Sequence, residues 1–411
     1  MEIKDYSGKY NEITRSLMES FAKAKKGENI VISPTSIIML LGIAADAVQG
    51  KTRDEILDVI GSNISYEELM AVLKEIQTDS SASGSLMLSN AVCVKDTISE
   101  SISPTYPERL RDVFDGKLFT SADIVRDVNA WVKEKTKGMI EKAADESMNE
   151  RLACLMNAIA FEAEWMEPYE EDDIYDGEFN NADGTVTEVQ MLDSSEDTYI
   201  EDEFFTGFMK PYKDEKYVFM ALLPKKKKSA SFLLRTIKQI DFSKLFNESV
   251  YGTVYVTMPE FKYDFGEDMT ELCKELGINT LFTPEADFSP MSSEWLKVDS
   301  IIHKAHIEVD RMGTKAVAVT MAYVVDGCAP SMDFKSVCLD RPFVYAIMDT
   351  ETRWPVFTGI YNQAEKEDAC LLHNKSTESC KTKMEKVASP FWRILQHGME
   401  RSLKQSMTVR M

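Results

Sequence analysis

Histidine is scarce in this chain, with four residues in 411. Acid–base catalysis draws on that side chain more than on any other. The usual settings for it are missing as well: there is no G-x-S-x-G turn and no H-E-x-x-H pair. Gly50-Lys51-Thr52 ends like a phosphate-binding loop, but Ala45 stands where that loop needs its first glycine. Long apolar runs are lacking too. The best, Ile37 to Ala45, is about half the ~18 residues of a membrane span. Positive charge is short: 47 Lys and Arg face 69 Asp and Glu, a net charge of −22. Such a field repels nucleic acid and anionic membrane surfaces. The seven cysteines, Cys93, Cys154, Cys273, Cys328, Cys338, Cys370 and Cys380, are odd in number and scattered, which excludes a disulfide framework. The opening MEIKDYSGKYNEITRSL has no apolar core of a signal peptide. The expectation is an extracellular protein if this is a mature form, and a cytoplasmic one otherwise.

What the chain does have is a large apolar fraction, 44%, enough for a substantial core. The first quarter reads as helical. Ile13, Leu17 and Phe21 recur at helical spacing between Tyr10 and Ala24, and Ser33-Pro34 opens a second helix as N-cap and first turn. From Leu152 the texture changes. LACLMNAIAF is a continuous apolar run, suited to a strand buried on both faces or to a core helix. KYVFMALLP and VYGTVYVTMPEF are rich in strand formers, whereas DMTELCKELG returns to helical spacing with a C-capping glycine. Helices first and strands later predict an α+β fold. No repeat or low-complexity linker interrupts residues 1–363. The stretch 364–411 departs from the rest: from residue 369 it carries eight Lys and Arg against three Asp and Glu, with Phe391, Leu395, Met399 and Leu403 near helical spacing.

Candidate chemistry is thin. His303 and His306 lie three apart in a strand-like segment and so face opposite sides, which makes them poor joint metal ligands. Cys370, His373, Cys380 and His397 match no compact zinc spacing. Lys225 to Lys228 read as a solvated loop. No catalytic residue, metal or cofactor is expected. The informative stretch follows Gly313. One parity holds Thr314, Ala316, Ala318, Thr320 and Ala322; the other holds Lys315, Val317, Val319, Met321 and Tyr323. As a strand, the segment has one uniformly small face, able to enter a tightly packed sheet. Gly313 is a permissive pivot at its start. A turn-rich run, Asp326 to Ser331, follows it. An ordinary edge strand and loop fits this pattern equally well.

Over residues 10–363 the chain resembles a serpin. The matching residues come in order: Asn29, Ser33-Pro34, Ser36, Gly50, Thr52 and Glu55; then Asn157-Ala158-Ile159, Phe161 and Trp165; then Asp183-Gly184, Met191, Pro211-Tyr212 and Leu223-Pro224. Met258-Pro259, Phe261, Leu276-Gly277-Ile278 and Ala286-Asp287-Phe288-Ser289 continue it. His303-Lys304-Ala305, Glu308-Val309-Asp310, Gly313-Thr314, Arg341-Pro342-Phe343 and Phe357-Thr358-Gly359 complete it. DRPFVYAIMD is similar to bacterial members.

The resemblance implies one α+β domain, residues 1–363, with three β-sheets, eight or nine helices and an exposed reactive centre loop; 364–411 is an extension outside the pattern. It implies a serine protease inhibitor that acts as a suicide substrate, trapping its target covalently when the cut loop inserts into the large sheet. A papain-like cysteine protease is a further target class, and a non-inhibitory binding or chaperone-like role is the alternative. Gly313, Thr314, Lys315, Ala316, Val317, Ala318, Val319 and Thr320 correspond to the hinge. Hinge counting puts the reactive bond at Gly327-Cys328, with Cys328-Ala329 and Val325-Asp326 as neighbouring choices. A small residue before the cut suits elastase-like or subtilisin-like proteases. Ser33, Ser36, Asn157 and His303 correspond to a polar cluster where the sheet opens, and Trp165 to the top of that sheet. The chain is expected to be a monomer, capable of loop–sheet polymers. It departs from the family at Arg311, where an acidic residue is usual, so an ion pair at the top of the sheet is expected to be lost. Glu162-Ala163 replaces a usual Lys-Gly, and extra loop residues fall around Ser331 to Ser336.

Overall fold

Apolar residues at helical spacing fold the first quarter of the chain into helices. In this computed structural model, α1 (Ser7–Ala24) buries Tyr10, Ile13, Leu17 and Phe21 along one stripe. The Ser33 hydroxyl caps α2 (Pro34–Ala47) by accepting from the Ser36 amide at 3.1 Å, and Pro34 occupies the first turn. α3 (Gly50–Ile60) follows, and Ser65 with Glu68 forms a capping box at α4 (Tyr66–Ser81). Later helices are shorter: α5 (Tyr106–Phe114), α6 (Ile124–Lys135), α7 (Ala230–Ile237), α8 (Phe242–Asn247) and α9 (Thr270–Leu276). The last ends as its sequence predicts, at Gly277 with φ +112°. The structure describes residues 3–61, 64–225, 230–298, 301–314 and 335–364. All of them fall in one compact unit, Met1–Lys366.

The strands are β1 (Ile30–Ile32), β2 (Leu86–Lys95), β3 (Lys117–Ser121), β4 (Ala153–Phe161), β5 (Ala163–Glu164), β6 (Ile174–Asn180), β7 (Val186–Glu201) and β8 (Phe205–Pro211), then β9 (Tyr217–Pro224), β10 (Val250–Pro259), β11 (Phe261–Asp268), β12 (Ile302–Val309), β13 (Gly313–Thr314), β14 (Lys335–Cys338), β15 (Phe343–Asp349) and β16 (Pro355–Tyr361). One nine-stranded sheet runs β1-β16-β15-β9-β8-β7-β10-β14, with β6 beside β7. Its central strands β9, β15 and β16 are buried along their whole length. Three smaller groups are β3-β2-β4, β11-β12 and the two-residue pair β5-β13. Four hydrogen-bonded groups therefore stand where three sheets are expected, and the reason is local. Among the described residues no ladder joins β4 to β12, so backbone pairing links the chain segments of β3-β2-β4 and β11-β12 only through β5-β13 at one end.

The apolar run at 152–161 is a strand, and its two faces explain its composition. Ile159 and Phe161 pack into the main core on the α2 side, whereas Cys154 and Met156 pack into a second apolar cluster with Val128 and Val132 of α6. A strand covered on both faces has no need of alternating polarity.

Candidate functional site

The site begins where β12 ends. The Asp310 carboxylate accepts from the amides of Met312, at 2.7 Å, and Gly313, at 3.0 Å, closing a turn. Burial pushes the Asp310 carboxyl above its usual range. The turn delivers Gly313 and Thr314 against Glu164 and Ala163. A side chain at Gly313 would overlap the Ala163 carbonyl oxygen, so this close approach requires glycine. Thr314 is buried and shares a 2.7 Å hydrogen bond with the Tyr212 hydroxyl. Tyr212 in turn stacks on the fully buried Trp165, with ring centroids 4.6 Å apart. Trp165 ties the turn down: its indole donates to the Asp310 carbonyl and its amide to the Met312 carbonyl, both at 2.9 Å.

Arg311 corrects one expectation. The ion pair at this end of the sheet is present with its charges exchanged. Glu260, which immediately follows β10, accepts from the Arg311 amide at 3.0 Å and lies 3.7 Å from the Arg311 Nε. Below it, the Lys210 ammonium meets Glu196 at 2.8 Å in a buried pair and sits over the Trp165 and Tyr169 rings. Glu162 and Glu164 take surface lysines, Lys137 and Lys213.

The second element is a polar chain crossing the base of the same strands. The Ser33 amide donates to His303 Nε2 at 3.3 Å, and the Ser33 hydroxyl donates to the Val356 carbonyl at 2.8 Å. The Ser36 hydroxyl donates to Asn157 Oδ1 at 2.5 Å. Ser33, Ser36, Asn157 and His303 thus come together, linking α2, β4 and β12. Burial pulls His303 down to about 4, so its ring is neutral and free to accept at Nε2 near pH 7. Asn90 belongs to this chain and escapes sequence reasoning. It accepts from the Asn157 amide at 2.7 Å and donates to Gln77 and to the Phe114 carbonyl. The available signal is an asparagine inside the apolar run of β2, directly opposite Asn157. His306 lies on the other face, 2.7 Å from Asp264, and takes no part.

Between the lower halves of β4 and β12 lies a cavity of about 280 Å³, lined by Val132, Leu155, Met156, Leu281, Leu296 and Ile302 among others. Lys315, Ala316, Val317, Ala318, Val319, Thr320, Gly327 and Cys328 lie outside the described residues, as do the tail cysteines and histidines. Among the described residues no cluster of three His, Cys, Asp or Glu is arranged to hold a metal, and no helix is long and apolar enough to cross a membrane.

The chain as a whole has counterparts among known proteins. A family model described as "Serpin (serine protease inhibitor)" matches residues 9–364. Among curated proteins the chain is similar to Serpin-ZXA of Oryza sativa subsp. japonica, 27% identical over 360 residues that cover 81% of this chain and 89% of that protein. Among solved structures it is similar to the thermophilic serpin tengpin in its native state, at 32% identity, covering 86% of this chain and 94% of that one with a TM-score of 0.78. The same protein in its latent state matches at 31% identity, covering 87% and 98%, with a TM-score of 0.74.

Proposed function

The chain belongs to the serpin family of serine protease inhibitors, and from that premise we propose that it inhibits as a suicide substrate, by inserting its cut loop between β4 and β12. One observation carries the reading: the register of the β5-β13 bridge. Thr314 lies opposite Ala163 and Gly313 opposite Glu164. Carried down β4 without a bulge, that register sets Ala316 against Phe161, Ala318 against Ile159, Thr320 against Asn157 and Ala322 against Leu155. Directly opposed residues of an antiparallel pair share a face, and these β4 residues face the α2 side. The small parity would therefore enter the core, while Val317, Val319 and Met321 would turn toward α6. Thr320 would meet the polar chain at Asn157. The hinge, the opening cluster around His303 and the Trp165 end thus act in one movement.

The chemistry belongs to the protease. Its serine oxygen attacks the carbonyl of the residue before the scissile bond, taken here as Gly327-Cys328. The amine of Cys328 leaves and an ester remains. The new strand from Thr314 to Gly327 is 14 residues long, so its ends lie about 43 Å apart at a rise of ~3.3 Å per residue. It would carry the tethered protease to the level of Glu150, past the start of β4. Distorting the oxyanion hole against the inhibitor body then stalls deacylation. A thioester would be trapped the same way, so papain-like proteases fall within reach, and the small residue before the cut favours elastase-like or subtilisin-like targets. A β4 edge that has no ladder to β12 among the described residues would also accept a strand from another copy, the route to loop–sheet polymers. The inhibitory domain is taken as 1–363, with 364–411 as an extension; the family match, ending at residue 364, supports that division.

The test is incubation with elastase, subtilisin, trypsin and chymotrypsin, followed by a denaturing gel and the mass of the released C-terminal fragment. The expected result is a band at the summed mass and a fragment beginning at Cys328. Complete cleavage with no such band from any of them, and no gain in thermal stability afterwards, would overturn insertion and leave a non-inhibitory binding protein.

A further inference from the structure

We propose that Cys93 and Cys154 form a redox-active pair that a small disulfide converts into a covalent bond between β2 and β4. The two residues are directly opposite in the antiparallel β2-β4 ladder. Such partners lie about 4.5–5.5 Å apart at Cα, inside the ~4.4–6.8 Å that a disulfide spans. Their side chains leave the ladder on the same face, because both pack into the apolar cluster beneath α6, with Val128, Ile140 and Met156. Both are free thiols in this structure. The pairing comes from tertiary structure alone, since 61 positions separate the two residues in the chain.

The two thiols are not equivalent. Cys93 is fully buried, whereas Cys154 is half-buried and lines the cavity between β4 and β12. Cys154 is therefore the attacking thiol. Its thiolate displaces one thiolate from a small disulfide, RSSR, and becomes a mixed disulfide. Cys93, losing its proton in turn, attacks the Cys154 sulfur, forms the Cys93–Cys154 bond and expels the second RS group. The two protein thiol protons end on the two RSH released, so the small disulfide is reduced by two electrons and the cysteines are oxidised by two. Burial pushes Cys154 up to about 11 and Cys93 up to about 12. The reaction is consequently slow at pH 7 and accelerates with pH. The bond would anchor the lower part of β4 to β2 and leave its edge toward β12 untouched. The proposal stands apart from the inhibitory reading, since neither thiol nor oxidant enters that mechanism.

The experiment treats the native full-length chain with bis(2-hydroxyethyl) disulfide, a neutral probe small enough for the cavity, then alkylates free thiols and maps peptides without reduction. The expected product is a peptide pair joined through Cys93 and Cys154. Its rate of formation should rise about tenfold per pH unit between pH 7 and 9, following the thiolate fraction. Cys93→Ser should stop at the mixed disulfide on Cys154, and Cys154→Ser should leave Cys93 alkylated after denaturation. Recovery of both residues as alkylated thiols from wild-type protein, while exposed Cys338 is fully oxidised, would overturn the proposal. So would a joined pair that forms in denatured chains but not in native ones. The decisive mapping uses the unmodified chain, so poor folding of either variant does not weaken the test.

Discussion

At Thr314 one side chain would serve both the uncut protein and the proposed inserted state. It is already buried in the uncut protein, hydrogen-bonded to Tyr212 and opposite Ala163. An arginine there would bury a charge without a partner, at several kcal/mol, and would forfeit a hydrogen bond of about 1 kcal/mol. Thr314→Arg is expected to turn the protein from inhibitor to substrate and to lower the unfolding midpoint of the uncut form as well. Ala318→Arg separates the effects, because a place opposite Ile159 belongs to this residue only in the proposed inserted state. Its stoichiometry of inhibition should rise at least tenfold with the uncut midpoint unchanged; an unchanged stoichiometry would refute the register. His303 makes a prediction in pH. Its ring is held near 4, against an ordinary ~6.5. Between those values the unfolded chain binds a proton that the folded chain does not. Stability should therefore fall as pH drops from about 6.5 to 4, by at most on the order of 3 kcal/mol. Unfolding midpoints across that range, compared with His303→Gln, check it; the variant should lose the extra slope.

Among the elements, the two-residue β5-β13 pair is the one on which the proposed opening would turn. Its neighbours hold it with Trp165, the Asp310 turn and the Arg311–Glu260 pair. Arg311 is about half exposed and Glu260 less so, which limits their attraction to about 0.5–1 kcal/mol. Arg311→Glu should set two carboxylates together and speed spontaneous loss of inhibitory activity at raised temperature by roughly two- to fivefold. Adding Glu260→Lys should recover part of the loss. Recovery stays partial because Glu260 also accepts the Arg311 amide. A double variant no slower than Arg311→Glu would show that charge pairing plays no part. The single departure at Arg311 is visible in the sequence. Its compensation is not, because Glu260 lies 51 positions earlier and meets Arg311 only where β12 returns beside β11.

At the scale of the whole molecule, the facing edges of β4 and β12, which share no ladder among the described residues, are unused hydrogen-bonding capacity. A strand laid between them would add about ten backbone hydrogen bonds on balance, at ~1 kcal/mol each. For a chain of this size that corresponds to a midpoint gain of roughly 10 °C or more on cleavage in the loop. Thermal scans of intact and cleaved protein give the answer directly. Equal midpoints would mean that the cut loop stays outside the sheet. The cavity beneath the gap agrees in sense, because well-packed interiors leave little empty volume.

Local physics settled much of this protein before any folding. The Ser33 cap and Pro34 start α2, Gly277 ends α9, and the small parity after Gly313 is written in residue sizes. Each depends on neighbours a few positions away, so each is legible from the chain. The order of motifs was enough to identify the family resemblance. What only the tertiary structure decided are meetings between distant positions: Asn90 with Asn157, Glu260 with Arg311, Cys93 with Cys154, and the absence of a ladder between β4 and β12 among the described residues. The reason is physical. Strand pairing and hydrogen bonding are satisfied by whichever groups the fold brings within about 3 Å, and no periodicity in the sequence records which distant groups those are.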